Sequence, residues 1–218
     1  MHHKTVGSYY AFSDIGQYSD QFARVQWYQA SWIVPSVPTQ SQNKSELRLG
    51  IELRAYDSMT MLAPTLTWDP DSGSWFISCL YDDEGNGQIS EGNRAVVQPG
   101  ELLLAGIVLT STRPYIYDVF FLGTKHTAIK STITLDHAVN QMIVKFDPST
   151  RNYADLPPDE NVEIKNIGVI LADTGGIPDP NLTFNWQFSA DGFITPSGKN
   201  GIIVDDGIFS AEIDFYFN

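Results

Sequence analysis

Apolar and polar residues alternate along most of the chain, with the period of a β-strand. Leu47, Leu49, Ile51 and Leu53 interleave with Arg48, Gly50, Glu52 and Arg54, so a strand here buries one face and leaves the other polar. In residues 22–34, Val25, Trp27 and Gln29 share one parity, and the pattern shifts near Ala30. Trp27 and Trp32 then reach the same face only if a bulge intervenes. Pro35 and Pro38 close this segment, because proline has no N–H for a ladder. Further strand segments are predicted over 65–68, 75–81, 102–110, 115–123, 128–135, 141–146, 162–171, 182–188 and 209–217. Between them stand turn formers: Asp69-Pro70-Asp71-Ser72-Gly73-Ser74, Asp82-Asp83-Glu84-Gly85-Asn86-Gly87 and Pro99-Gly100. No segment carries an apolar stripe of helical period over three turns. Residues 148–159, with Pro157-Pro158, read as a long loop.

Strand segments this closely spaced predict an all-β fold, an antiparallel β-sandwich of two large sheets packed face to face. No internal repeat and no low-complexity linker divides the chain, so residues 1–218 are expected to form a single domain.

Composition narrows the function classes. Thirteen Lys and Arg stand against 26 Asp and Glu, a formal net charge of −13. No basic cluster exists to displace counterions from nucleic acid or to approach an anionic membrane, so neither is an expected partner. Hydrophobic residues make up 42% of the chain, which excludes a disordered protein. Cys79 is the only cysteine, so no intrachain disulfide can form. No apolar stretch approaches the roughly 20 residues of a membrane span. The N-terminal segment lacks the apolar core of a signal peptide, and a cytoplasmic or non-classically secreted protein is expected.

The residues that carry chemistry are sparse. His2, His3, His126 and His137 lack zinc-ligand spacing, and no nucleophile elbow is present. A cysteine–histidine or serine–histidine pair assembled in space stays open. Asp69 and Asp71 on a glycine turn have the look of a calcium loop. The same residues are explained by a hairpin turn, with Asp capping backbone amides and Gly taking positive φ. No metal or cofactor is therefore expected. Trp27, Trp32, Trp68, Trp75 and Trp186 lie on strand-like stretches, where a core role is the commoner one and an outward ring could stack on a ligand.

The order of several short pieces resembles the fungal glutamic peptidases, the eqolisins, which have a concanavalin A-like sandwich (jelly roll). The pieces are Val34-Pro35-Ser36, Leu49-Gly50-Ile51-Glu52, the run from Met61 to Trp68, Pro99-Gly100-Glu101, and the run from Asn140 to Lys145. Members of that family hydrolyse peptides with a glutamate that activates water and a glutamine that holds the oxyanion. The resemblance places Ala63, followed by Pro64, at the glutamine position and Lys145 at the glutamate position. Alanine has no donor, and a lysine cation has no lone pair to accept a proton. A slip of one residue would move each side chain to the other face and turn attention to Glu46 or Glu52.

The resemblance therefore implies a scaffold kept and a catalytic pair lost. The expected function is a non-catalytic, lectin-like binding protein with a glycan or peptide ligand. Arg48, Glu52, Trp68, Tyr81 and Lys145 are the candidate ligand-binding residues. The alternatives are an acid-active glutamic peptidase and a self-associating structural or storage protein, for which a homo-oligomer is expected.

Overall fold

Most of the alternating segments become strands whose apolar parity turns to a shared interior; of residues 182–188 only Gln187 and Phe188 fall in a strand. The structure is a computed structural model and describes residues 9–13, 25–38, 46–55, 60–83, 87–122, 129–148, 156–171, 183–190 and 201–217. The strands are β1 (Tyr9–Ser13), β2 (Val25–Ile33), β3 (Leu47–Arg54), β4 (Thr60–Asp69), β5 (Ser74–Asp83), β6 (Gln88–Glu91), β7 (Ala95–Val97) and β8 (Leu102–Thr112). They continue as β9 (Tyr115–Leu122), β10 (Lys130–Leu135), β11 (Gln141–Pro148), β12 (Asn161–Leu171), β13 (Gln187–Ala190), β14 (Gly201–Asp205) and β15 (Ala211–Tyr216). The first sheet runs β13-β1-β11-β3-β4-β5-β6, with β7 also paired to β5; the second runs β10-β9-β8-β2-β12-β15-β14. Neighbouring strands are antiparallel throughout the described residues, as the sandwich expectation requires.

The core lies between the sheets. Leu47, Leu49, Ile51, Leu53, Trp68, Trp75 and Phe146 enter it from the first sheet, and Tyr28, Trp32, Phe121, Ile164 and Phe215 from the second. Phe146 meets Phe215 across the interface, with ring centroids 6.2 Å apart. The Tyr28 hydroxyl crosses it as well and donates to the Ile143 carbonyl at 3.0 Å. Burial, reinforced by the Glu52 charge, raises this phenol well above its usual pKa and keeps it a donor.

Three local features depart from the sequence reading. β4 begins at Thr60 rather than Thr65, although Pro64 sits in its middle. Proline is tolerated because β3 and β4 pair at Gly50↔Thr65 and next at Leu53↔Leu62, with no paired position where its missing N–H would be needed. The β2–β12 pairing is irregular twice: opposite Ala30 the partners step from Lys165↔Ser31 to Gly168↔Gln29, with the extra residue on β12, and at Gln26 they step from Ile170↔Trp27 to Leu171↔Val25, with the extra residue on β2. Val25, Tyr28, Ala30 and Trp32 are all buried, while Trp27 turns away and packs edge-on against Phe120 at 5.7 Å. β1, β6, β7 and β14 were not anticipated, being short strands paired on one side or lying near a sheet edge. Of the long loop, residues 149–155 lie outside the described residues, as do Glu84, Gly85 and Asn86.

Gly50 allows the two central strands a close approach. A Cβ there would lie 2.5 Å from the Pro64 carbonyl oxygen, a backbone atom that cannot swing aside. Gly50→Ala is expected to lower stability by about 1–3 kcal/mol, read from the denaturant midpoint.

Candidate functional site on the outer face of the first sheet

Antiparallel partners project to the same face, so the ladder places the outward side chains in rows. One row runs through Tyr10, Lys145, Gly50, Thr65 and Ser78. The next carries Phe12, Ile143 and Glu52, and on β4 and β5 Ala63 and Leu80. On the other side, Asp147 pairs with Arg48, which pairs with Thr67. Leu47, Leu49, Ile51 and Leu53 go inward, so Arg48, Glu52 and Arg54 must go outward.

Charges on this face form a chain of alternating sign. The Lys145 ammonium lies 3.2 Å from Asp147 Oδ2 and 3.8 Å from Glu52 Oε1. Glu52 Oε2 accepts from Arg54 Nη2 at 2.8 Å and Nε at 3.0 Å. Arg48 donates to Glu46 at 2.7 Å. The Glu52 side chain is only 9% exposed and that of Lys145 19%, so these contacts are far less screened than surface ion pairs. Gly50, Glu52, Met61, Thr65, Leu80 and Lys145 line a recess of about 40 Å³, which admits water-sized groups. A larger ligand would lie across the face. The half-buried rings of Tyr10 and Phe12, 6.0 Å apart, stand beside it. The face thus offers donors, acceptors and apolar ring surface together.

Arg48, Glu52 and Lys145 are brought together, with Ala63 on the same face. Trp68 and Tyr81 are not. Trp68 is 3% exposed and packs on Trp75 at 5.4 Å, inside the sandwich. It shares inward parity with Leu62 and Leu66 and cannot stack on a ligand. Tyr81 pairs with Leu62, packs against the core, and donates to Asp83 at 3.3 Å. Burial first, and then Asp83, raise its phenol above the ordinary value. Sequence reasoning missed Tyr10, Phe12, Arg54 and Asp147. The alternation Tyr10-Ala11-Phe12-Ser13 was the available signal for the first two, and it is too short to stand out.

The remaining candidates resolve simply. Asp69 Oδ1 accepts from the Asp71 amide at 2.9 Å, and Gly73 has φ +63°, which makes the string a hairpin turn. That backbone hydrogen bond also holds the Asp69 carboxyl below its usual pKa. Cys79 is 1% exposed, with its thiol directed to the Val119 carbonyl at 3.2 Å. Burial pushes the thiol up to about 12, far from a reactive thiolate. His2, His3 and His126 lie outside the described residues.

Trp68→Ala is expected to cost about 3–5 kcal/mol in stability, where a surface ring would cost little. The Cys79 thiol should react with a disulfide reagent only on unfolding. Its folded pKa exceeds that of the unfolded thiol, so its contribution is present at neutral pH and is lost as pH rises from about 9 towards about 12. Denaturant titrations across that window should show a shallower decline in Cys79→Ala.

No family model and no curated protein matches the sequence. Solved structures do match the fold. Scytalido-glutamic peptidase with a peptide-based transition-state analogue superposes with a TM-score of 0.57 at 11% identity, over 96% of this chain and 98% of that one. A second structure of scytalido-glutamic peptidase, with a transition-state analogue inhibitor, gives 0.53 at 11% identity over 96% and 97%. SCP-B, a member of the eqolisin family in complex with the tripeptide Ala-Ile-His, gives 0.51 at 13% identity over 96% of both chains. Over the described residues, then, this chain has the two-sheet fold of the eqolisin glutamic peptidases.

Proposed function

We propose that this chain is a non-catalytic binding protein built on the eqolisin-like sandwich, and that it takes a carbohydrate across the outer face of the first sheet. The observation that carries this reading is the Lys145 ammonium held between Glu52 and Asp147, beside Tyr10 and Phe12. Both oxygens of Glu52 face cations and the Ala63 side chain offers no donor, which favours binding over general-base catalysis here. What it presents is alternating donors and acceptors next to ring surface, a combination suited to hydroxyl groups and a sugar face. Trp68 has no part in it; the platform is Tyr10 and Phe12. A peptide ligand is the second reading, favoured by the peptide-derived ligands of the structures that share this fold.

A glycan array probed at neutral pH should show binding to one sugar class, weakened roughly three- to tenfold by Tyr10→Ala and reduced by Lys145→Met. A blank array with binding to extended peptides would replace the first reading by the second. Peptide digestion at acid pH should yield no cleavage; cleavage abolished by Glu52→Gln would overturn the non-catalytic reading.

A further inference from the structure

The second sheet gathers acidic side chains that the sequence holds far apart. On its outer face Glu163 of β12 stands directly opposite Asp214 of β15. The β12–β15 register shifts between Ile164 and Ile167, and this bulge sets Lys165 and Asn166 across from Glu212. One carboxylate oxygen from each of Glu163, Glu212 and Asp214 lies within 4.8 Å of the others. That span is about twice a calcium–oxygen distance, so one ion could touch all three. Like charges directly opposite on a ladder repel, and something must compensate them.

Lys165 does so in part. Its ammonium lies 2.6 Å from Glu163 and 3.5 Å from Glu212, on a side chain 44% exposed and free to swing out. Asp214 is the acid left over. It is 8% exposed; Oδ2 accepts from Asn161 at 3.2 Å, while Oδ1 is buried and has no hydrogen-bond partner. Burial, Glu163 and Glu212 raise the Asp214 pKa, and Asn161 and Lys165 offset this only partly. The orphaned oxygen belongs to a buried carboxylate grouped with the other two, and the half-exposed Glu163 leaves the cluster open to water that can complete a coordination shell.

We propose that Glu163, Glu212 and Asp214 form a binding site for a hard divalent cation of the calcium type, with Asp214 as its buried anchor and Lys165 as the group the ion displaces. The site lies on the opposite sheet from Lys145 and does not depend on the function proposed for that face.

Terbium luminescence tests it on the full chain, with Tyr216 on the neighbouring position of β15 as the sensitiser. Terbium should give a saturable signal that calcium chloride, at concentrations up to about 1 mM, competes away. Calcium should also raise the melting temperature. Asp214→Asn and Glu163→Gln should each weaken binding about tenfold or more, and Lys165→Met should tighten it. The Glu163 side chain is half exposed, so its variant carries the test even if Asp214→Asn does not fold. No saturable signal from the native chain overturns the proposal. So does a signal undiminished in Glu163→Gln, or one weakened by Lys165→Met.

Discussion

The long strands of the sandwich have to turn their apolar parity toward the opposite sheet, and this constraint decides which side chains meet on the outside. The interior is held by aromatic packing such as Phe146 on Phe215, and by the Tyr28 hydroxyl reaching the Ile143 carbonyl. Moving β11 by one residue would bring Lys145 into that interior and expel Val144 and Phe146. A lone ammonium there would be far costlier than the present arrangement, in which two carboxylates meet it at the surface. The register of the core therefore assembles the Lys145 network without any local sequence preference for it.

The two outer faces use the acidic surplus differently. On the first sheet, Arg48, Arg54 and Lys145 each meet a carboxylate, from Glu46, Glu52 and Asp147. On the second, Glu163, Glu212 and Asp214 share only Lys165. Much of the remaining acid stands in turns, where it works on the backbone: Asp69 at the β4–β5 hairpin, and Asp205, which accepts from the Gly207 amide at 2.9 Å. The acidic surplus thus divides among a solvated rim, an ion-paired network on one face and an acid-rich cluster on the other.

An architecture shared at 11–13% identity shows that this sandwich is compatible with very different sequences. Gly50 and Pro64 show how tightly the backbone is held there: the glycine lets the Pro64 carbonyl approach, and the proline sits where the ladder has a gap. Positions with such strict backbone requirements keep the sheet in shape. Ala63 and Lys145 beside them set the chemistry of the outer face.

Period-two alternation was enough to reveal the sandwich and most of its long strands, because burial of one face is a local, repeating demand on sequence. It also put Arg48, Glu52 and Arg54 on one face, since the parity of β3 is unbroken. It misplaced Trp68 and Tyr81, because an aromatic on a strand looks the same whether its face is core or surface; only the packing of Trp68 on Trp75 decides. It could not show that Tyr10 would lie beside Lys145, or that Glu163 would face Asp214. Those neighbours come from strands distant in the chain, and only the pairing of β1 with β11 and of β12 with β15 brings them within reach of one another.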